Sequence, residues 1–130
     1  MDAKGTELDF SKFKAIGKDI EPLRKTGAKG YDHCFAIKGY DGKMKAACVL
    51  KDPKSGRVME IKTDQPGLQF YSGNFLDKTE GSGGYSENNA LCLETQKYPD
   101  SPNQSGFPTS LLKPGEKYKH RTVHKFSVEK

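Results

Sequence analysis

The 130-residue sequence is 33% hydrophobic and 30% charged, and its 22 Lys and Arg against 17 Asp and Glu give a formal net charge of +5. This length suits one domain, so we expect residues 1–130 to form a single domain. The 7 Phe and 6 Tyr argue against a disordered chain, and no apolar stretch approaches the roughly 20 residues that would span a bilayer. With 14 Gly, 7 Pro and no long helix-periodic run, the sequence predicts an all-β fold.

The basic charge is spread thinly along the chain. Lysines occur singly, without a long basic run, so we expect no nucleic-acid partner despite the positive charge. The cysteines, Cys34, Cys48 and Cys92, are odd in number and show no C-x-x-C spacing. That pattern disfavours a disulfide framework or a zinc site and fits a reducing compartment, so we expect a cytoplasmic protein.

The first third of the chain is predicted to be largely irregular. Residues 5–30 form a lead-in, in which the spacing of Phe10, Phe13 and Ile16 predicts one short helical turn. Asp41-Gly42 has the residue types of a hairpin tip, so a turn is expected there.

Two extended runs follow and are predicted to pair. Residues 44–50 are typical of a mostly buried strand, and residues 57–63 place Met59, Ile61 and Thr63 on one face. Between the two runs lies the turn sequence Asp-Pro-Lys-Ser-Gly at 52–56. We therefore predict a β-hairpin from residue 44 to residue 63.

The second half alternates short strands with long polar loops. Strands are predicted at residues 68–71, 91–96 and 118–128. One face of the last strand would carry Thr122, His124, Phe126 and Val128. The stretches between the strands, residues 72–89 and 99–108, are polar and long, and loops of that size in a compact domain are often functional.

Glu94 is the leading candidate for chemistry. It lies on the predicted strand 91–96, whose opposite face is apolar, and a Pro-, Asn- and Ser-rich loop follows. A carboxylate held on one face of a rigid strand is well placed for proton transfer. Gln96 shares that face and would orient Glu94 or touch a ligand. A solvent-facing glutamate without a role fits the same pattern. Cys92, on the same strand, is expected to be a small buried side chain.

Asp32 and His33 form a second cluster, within Gly-Tyr-Asp-His-Cys-Phe at 30–35. Both residue types suit the binding of sugar hydroxyls or proton transfer. Neighbours on an extended segment point to opposite faces, so the two are not expected to act together on one atom. A turn aspartate beside a histidine with a structural role is the alternative.

The remaining motifs fall short of a known site. Gly-Ser-Gly-Gly at 81–84 lacks the Gly-Lys-Ser/Thr that a phosphate-binding P-loop requires. His120 and His124 would share one face of a strand or a helix, but no third ligand accompanies them, so we expect no metal. Cys92 beside Glu94 lacks the histidine that activates a thiol nucleophile.

Several strings follow one another along the chain. They are Gly-Thr-Glu-Leu-Asp-Phe at 5–10, Gly-Tyr-Asp-His-Cys-Phe at 30–35, Gln-Pro-Gly-Leu-Gln-Phe-Tyr-Ser-Gly-Asn-Phe-Leu at 65–76, Leu-Cys-Leu-Glu-Thr-Gln at 91–96 and Tyr-Pro-Asp-Ser-Pro-Asn at 98–103. This succession resembles the C-terminal portion of the aldose 1-epimerase (galactose mutarotase) family, and the resemblance covers essentially the whole sequence.

The resemblance implies part of a supersandwich of large antiparallel sheets, without the N-terminal part of the family's fold, and with a sugar cleft on one sheet. The implied activity is interconversion of the α- and β-anomers of galactose, glucose and related aldoses, by acid–base ring opening and without a metal or organic cofactor. By motif, Glu94 resembles the catalytic base and Asp32 resembles the aspartate that binds sugar hydroxyls. Gln69 and Phe70 would lie at the cleft.

The chain departs from the family in one respect. The family's acid is a histidine in an Asn-His-x-Tyr-Phe-Asn-Leu-type segment, which is missing from this sequence, and His33, His120 and His124 stand in other motifs. Activity of this chain alone therefore stays open, and a non-catalytic carbohydrate-binding or interaction module derived from the family is the alternative. A sheet cut partway exposes edges and apolar surface, so we also expect self-association or a complementing chain.

Overall fold

The computed structural model describes residues Met1–Glu129, which are mostly strands and loops with little helix. The described strands are β1 (Asp32–Ala36), β2 (Lys45–Lys51), β3 (Arg57–Thr63), β4 (Gly67–Tyr71), β5 (Cys92–Gln96) and β6 (Thr122–Val128). The described helices are α1 (Glu21–Arg24) and 3-10 helices at Ile16–Asp19, Glu80–Ser82 and Ser101–Asn103. This element content confirms the all-β prediction.

The strands form two three-stranded sheets, ordered β1-β4-β5 and β2-β3-β6. Strand β3 pairs antiparallel with both β2 and β6. In the other sheet, the Ile37 N–H donates to the Pro66 carbonyl at 2.8 Å and the Ser72 N–H donates to the Tyr31 carbonyl at 3.0 Å. Residue numbers thus rise along β1 as they fall along β4, so these strands are antiparallel as well. The antiparallel architecture implied by the resemblance is confirmed.

The predicted hairpin between β2 and β3 is present. Its turn closes where the Gly56 N–H donates to the Asp52 carbonyl at 2.9 Å, and the Asp52 carboxylate accepts the Ser55 hydroxyl at 2.6 Å. Gly56 has a φ of +70°, a conformation that a side chain would strain. The register shifts between Ala46 and Cys48, which marks a β-bulge in β2.

The described chain divides into two compact units. Unit 1 comprises Met1–His33 and Gln69–Leu93, and unit 2 comprises Cys34–Leu68 and the chain from Glu94 onward. Each unit has buried side chains of its own, so each is described by itself below.

The core of unit 1 is an aromatic cluster. Tyr31 is fully buried and stacks on Phe70, with ring centroids 5.0 Å apart. Phe10 meets both rings edge-on, at 5.3 Å from Tyr31 and 5.7 Å from Phe70. The helical turn predicted from Phe10, Phe13 and Ile16 is therefore wrong, since residues 10–15 are non-helical and Phe13 is 69% exposed. The contacts that the Phe10 ring makes with Tyr31 and Phe70 outweigh one short turn of helix.

Buried polar groups form a hydrogen-bond network beside these rings in unit 1. The Asn74 amide nitrogen donates to the carbonyls of Ala28 and Tyr31, at 2.8 and 2.9 Å. The Asn74 amide oxygen accepts the Ser72 hydroxyl at 2.5 Å and the Asn88 amide at 3.3 Å. A buried amide with both ends satisfied ties three loop and strand segments together, because breaking any one bond would leave a buried polar group unpaired.

Unit 2 contains the sheet β2-β3-β6, whose register confirms the predicted faces. The pairs Met59–Phe126, Ile61–His124 and Thr63–Thr122 lie directly opposite each other across β3 and β6. Ile61 is 1% exposed and Thr63 is fully buried, whereas Phe126 is 72% exposed. This face is therefore covered at the Thr63 end and bare at the Phe126 end.

Three further sequence predictions about local structure are wrong. Strand β6 begins at Thr122 rather than at Tyr118, which lies in the irregular segment before the strand. Asp41-Gly42 is not a hairpin tip, because the strands on either side of it, β1 and β2, belong to different sheets. Cys92 is exposed rather than buried, because alternation places it on the open face of β5.

Candidate functional site

Two of the predicted site residues meet in unit 1. Asp32 begins β1 and Gln69 lies in the middle of β4, its neighbour in the sheet. The Gln69 amide nitrogen donates to an Asp32 carboxylate oxygen at 2.6 Å. Asp32 is exposed, and Gln69 is half-buried. Because a carboxylate only accepts hydrogen bonds, the amide nitrogen must face it, which fixes the orientation of the Gln69 side chain.

The orientation of Gln69 leaves its other polar atom without a partner. The Gln69 amide oxygen is buried and makes no hydrogen bond to any part of the chain from Met1 to Glu129. Buried polar atoms in proteins almost always have a partner, so an unpaired acceptor beside an exposed carboxylate is unusual. The pair thus presents one negative group and one spare acceptor on neighbouring strands.

His33 and Phe70 serve the local structure around this pair. The Asp32 backbone N–H donates to His33 Nδ1 at 3.0 Å, so that ring nitrogen is engaged by the strand itself. Phe70 is 6% exposed and belongs to the aromatic cluster with Tyr31. Its packing holds β4 in place beneath Gln69, and its expected contact with a sugar stays a prediction.

Glu94 lies on β5, in unit 2. Its side chain is exposed, and it forms no hydrogen bond or ion pair with the described residues. On the opposite face of the strand, the Thr95 hydroxyl bonds the Thr122 hydroxyl at 2.6 Å, which anchors β5. The strand is thus held from one side while the Glu94 carboxylate stays available on the other, as the alternation predicts.

Gln96 shares the strand with Glu94 but has a different contact. Its amide nitrogen approaches Cys34 Sγ at 3.9 Å, and no hydrogen bond joins Gln96 to Glu94 within residues 1–129. Burial raises the pKa of the Cys34 thiol, although the Gln96 amide opposes that rise. Gln96 is therefore oriented toward β1, and its expected contact with a ligand stays a prediction.

Close backbone packing at Gly67 supports this part of unit 2. A side chain at Gly67 would meet Cys34 Sγ at 2.8 Å and the Tyr98 ring at 3.1 Å. Tyr98 in turn packs edge-on against Phe107, with ring centroids 5.0 Å apart. The sequence pattern did not predict this contact, because Cys34, Gly67 and Tyr98 are far apart along the chain.

The loop after Tyr98 is held by its own hydrogen bonds. The Asp100 carboxylate accepts the side-chain amides of Asn103 and Gln104, at 2.6 and 2.7 Å. These bonds lower the pKa of Asp100. The Ser101 hydroxyl donates to the Tyr98 carbonyl, and Ser101 is buried at the first position of the 3-10 helix. The loop that follows Glu94 is therefore structured at its start.

Two cavities of unit 2 lie away from the predicted residues. One of about 520 Å³ is bounded by the segment 101–112, and one of about 310 Å³ is lined by residues including Tyr40, Gln65 and Tyr118. Gln65 is 3% exposed and donates to the Tyr118 hydroxyl at 3.2 Å. Neither cavity is lined by Glu94 or Gln96, so a sugar pocket at Glu94 stays a prediction.

The chain from Met1 to Glu129 has neither a metal-ligand cluster nor a helix that could span a membrane. No cluster of three or more His, Cys, Asp or Glu side chains with metal-ligand geometry occurs there. His120 lies outside β6 and packs near Tyr118, with ring centroids 5.1 Å apart, whereas His124 is within the strand. In the same residues, none of the helices has the length and apolar character to cross a membrane.

The fold and the site residues together define an all-β protein of antiparallel sheets that carries carboxylate and amide side chains on strand surfaces. A family model described as "Aldose 1-epimerase" matches residues 1–125. The chain is 46% identical over 129 residues to galactose mutarotase from Bos taurus and 38% identical over 133 residues to aldose 1-epimerase from Escherichia coli strain K12. This chain belongs to the aldose 1-epimerase family.

The chain spans little more than a third of the relatives that it matches. The bovine alignment covers 96% of this chain and 36% of the bovine protein, and the E. coli alignment covers 96% and 38%. The crystal structure of a GalM/aldose epimerase homologue from C. elegans superposes with a TM-score of 0.78 at 28% identity, covering 97% of this chain and 38% of that one. The match to a C-terminal portion of the family, predicted from the strings, is confirmed at the level of family and fold.

Proposed function

We propose that this chain provides part of the machinery of an aldose 1-epimerase, which interconverts the α- and β-anomers of galactose, glucose and related aldoses. Membership of the family supports the reaction class. The observation that carries the proposal is the Asp32–Gln69 pair, in which an amide holds an exposed carboxylate at 2.6 Å and keeps a spare acceptor.

The chemistry needs both a base and an acid. A hemiacetal opens when the hydroxyl on C1 loses a proton and the ring oxygen gains one. The C1–C2 bond then rotates, and the ring closes on the other face of the carbonyl. Each well-placed acid or base typically contributes about 10²–10⁴-fold.

Glu94 is the proposed base. Its carboxylate is exposed and has no partner in the described residues, so it is available to accept the proton of the C1 hydroxyl. Strand β5 fixes its backbone, and the Thr95–Thr122 bond holds the strand at 2.6 Å, which limits the freedom of the group.

Asp32 and Gln69 are the proposed hydroxyl-binding groups. The Asp32 carboxylate retains an oxygen beyond the one bonded to Gln69, and that oxygen can accept a sugar hydroxyl. The Gln69 amide oxygen would gain its missing partner from a second hydroxyl after a small rotation of the side chain. Acceptors on neighbouring strands suit the adjacent hydroxyls of a pyranose.

The acid is the part that this chain does not supply. His33 Nδ1 accepts the Asp32 N–H, His120 packs near Tyr118, and His124 lies on β6 in unit 2. None of these histidines stands in the family's Asn-His-x-Tyr-Phe-Asn-Leu-type motif. We therefore propose that mutarotation requires the part of the family's fold that this chain does not span.

A coupled assay of α-galactose mutarotation tests this proposal. The chain would be assayed alone and when co-expressed with the segment of bovine galactose mutarotase outside the aligned 129 residues. We expect the solvent rate for the chain alone and catalysis for the pair. Glu94→Gln should then reduce kcat by at least about 10²-fold. The control is Glu80→Gln, an exposed glutamate of a loop helix, which should leave the rate unchanged. An active pair that tolerates Glu94→Gln would contradict the role of Glu94.

A non-catalytic carbohydrate-binding module is the second candidate, because the acid motif is missing from the sequence. Titration calorimetry with galactose and glucose separates the two. Binding that Asp32→Asn weakens, without turnover by the pair, would favour the module over the epimerase.

The proposed setting is a reducing, cytoplasmic one with neither a nucleic-acid nor a membrane partner. The thiols of Cys34, Cys48 and Cys92 are all free, which suits such a compartment. Alkylation under denaturing conditions in freshly lysed cells should modify all three cysteines, and recovery of a disulfide would contradict the assignment.

A further inference from the structure

Three strand ends of unit 2 are joined by threonine hydroxyls. The hydroxyl of Thr122, the first residue of β6, bonds the hydroxyl of Thr95 in β5 at 2.6 Å and that of Thr63, the last residue of β3, at 3.2 Å. Thr63 is fully buried, and its hydroxyl also accepts the Gln65 backbone N–H at 3.1 Å. These bonds hold the residues that follow β3 and β5 and those that precede β6 in one fixed arrangement.

The cavity of about 310 Å³ is lined by residues next to all three strand ends. Gln65 follows β3, Lys97 follows β5, and the segment 117–119 precedes β6. Its volume is at the lower end of the range for small-molecule sites in proteins, which suits a ligand of a few polar groups. This cavity is called the Gln65 cavity below.

Gln65 brings an acceptor without a partner to this cavity. The residue is 3% exposed, and its amide nitrogen donates to the Tyr118 hydroxyl at 3.2 Å. Its amide oxygen is buried and has no hydrogen-bond partner among residues 1–129. Because the Tyr118 hydroxyl accepts in this contact, its own proton is available for a second bond. Gln65 and Tyr118 thus offer one spare acceptor and one spare donor.

The lining of the cavity is positively charged. Lys97 is half-buried, Lys117 and Lys119 are exposed, and none of the three forms an ion pair with another residue of the described chain. The lining carboxylate of Asp64 is engaged, because both of its oxygens accept the Arg121 backbone N–H at 3.0 Å. Three ammonium groups against one carboxylate leave a charge of +2, which favours an anion.

Water and simple anions each satisfy only part of this lining. A water molecule pairs with the Gln65 amide oxygen but leaves the lysine charges uncompensated. An anion without a hydroxyl compensates the charges but leaves the buried oxygen unpaired. A phosphate ester that carries free hydroxyls does both, since lysines bind phosphate as point charges and a hydroxyl donates to an amide oxygen.

From these observations we infer that the Gln65 cavity binds a small sugar phosphate. The phosphate lies among Lys97, Lys117 and Lys119 and accepts the Tyr118 hydroxyl, and a sugar hydroxyl reaches the Gln65 amide oxygen after a small rotation of that side chain. Neither Glu94 nor Gln96 lines this cavity, so the site is separate from the proposed base. The inference therefore does not rest on epimerase activity.

Titration calorimetry of the 130-residue chain with glucose 1-phosphate tests the site. Phosphate occupies C1 of this probe, which leaves it no anomeric hydroxyl and excludes it as a substrate for ring opening. We expect saturable one-to-one binding that weakens as salt is added. Lys117→Gln combined with Lys119→Gln should weaken it at least about tenfold. The control combines Lys12→Gln with Lys54→Gln, two exposed lysines that do not line the cavity, and should change it less than about twofold.

Gln65→Leu separates the hydroxyl contact from the charge. We expect this variant to bind glucose 1-phosphate about tenfold more weakly, because the ligand hydroxyl loses its acceptor. Sulfate, which has no hydroxyl to offer, should bind the variant and the unaltered chain with equal affinity. Retained sulfate binding would also show that the variant is folded.

Several results would overturn the inference. Absence of saturable binding of glucose 1-phosphate would exclude this ligand. Glucose that binds as tightly as glucose 1-phosphate would show that the lysines recognise no phosphate. Sulfate that binds the unaltered chain as tightly as glucose 1-phosphate would indicate an adventitious ion only. Binding that is lost in Asp32→Asn but kept in the Lys117 and Lys119 variant would place the ligand at the Asp32–Gln69 pair instead. Mutarotation is not measured in these titrations, so failure of either proposal leaves the other standing.

Discussion

Phenylalanine side chains differ in solvent exposure between the aromatic cluster of unit 1 and the sheet of unit 2. Phe70 is 6% exposed and touches Tyr31 and Phe10, whereas Phe126 is 72% exposed on the last strand. Both are phenylalanines on strands with alternating side chains. The difference teaches that alternation decides which face a side chain occupies, while burial depends on what other chain is available to cover that face.

The largest expected effect comes from truncating these two rings. Phe70→Ala should lower the free energy of unfolding by about 3–5 kcal/mol, because it removes a buried ring and leaves a cavity. Phe126→Ala should change it by less than about 0.5 kcal/mol, because the ring is mostly in solvent. Urea unfolding followed by circular dichroism measures both. Equal losses of unfolding free energy in the two variants would show that Phe126 is covered in solution and would contradict the difference in burial between the two rings.

A smaller effect is expected from adding one methyl group to unit 1. Gly30→Ala would place a Cβ against the Asn74 amide oxygen, and Asn74 cannot yield because its hydrogen bonds to Ala28 and Tyr31 hold it. We expect a loss of about 1–3 kcal/mol in unfolding free energy.

Gly17→Ala is the matched control for this substitution, since nothing lies within 4 Å of a Cβ at Gly17. It should alter stability by less than about 0.5 kcal/mol. Thermal unfolding of the two variants side by side makes the measurement. If Gly30→Ala were as stable as Gly17→Ala, the buried network around Asn74 would not be rigid.

The smallest effect leaves stability unchanged and concerns thiol reactivity. Cys48 pairs with Ile61 near the covered end of the sheet face, and burial raises the pKa of its thiol to about 11. Since the thiolate is the reactive form, most of the Cys48 thiol stays protonated and unreactive at pH 8. Cys92 is exposed on β5.

Iodoacetamide labelling at pH 8, resolved by peptide mass, should therefore modify Cys92 at least about tenfold faster than Cys48. Raising the pH toward 11 should reduce the difference in labelling rate between Cys92 and Cys48, because the Cys48 thiol then loses its proton. Comparable rates at pH 8 would mean that the covered end of the sheet opens readily.

Local patterns predicted the hairpin well but not the edges of the sheets. The turn sequence at 52–56 and the alternation on both sides of it located β2 and β3, and the bounds of β3 matched the prediction. The tip expected at Asp41-Gly42 was wrong, because the same turn residues serve a hairpin or a link between sheets. Choosing between them depends on which strands pair, and that is a non-local property.

Local sequence likewise predicted some features of the candidate site and missed others. Alternation placed Glu94 on the open face of β5, and the motif strings named Asp32 and Gln69 without indicating a contact between them. Their 2.6 Å hydrogen bond joins residues 37 positions apart and requires β1 and β4 to be neighbours. Likewise, nothing in the local sequence predicted that Asn74 would be buried with four hydrogen-bond partners.

The sequence by itself determined the all-β class, the family and the alternation of each strand, because side-chain period and ordered motif strings are properties of neighbouring residues. Only the tertiary structure decided which strands pair, which phenylalanine is buried and which polar atoms lack partners. Those outcomes depend on long-range burial and hydrogen bonding, which balance large opposing free energies over the whole described chain.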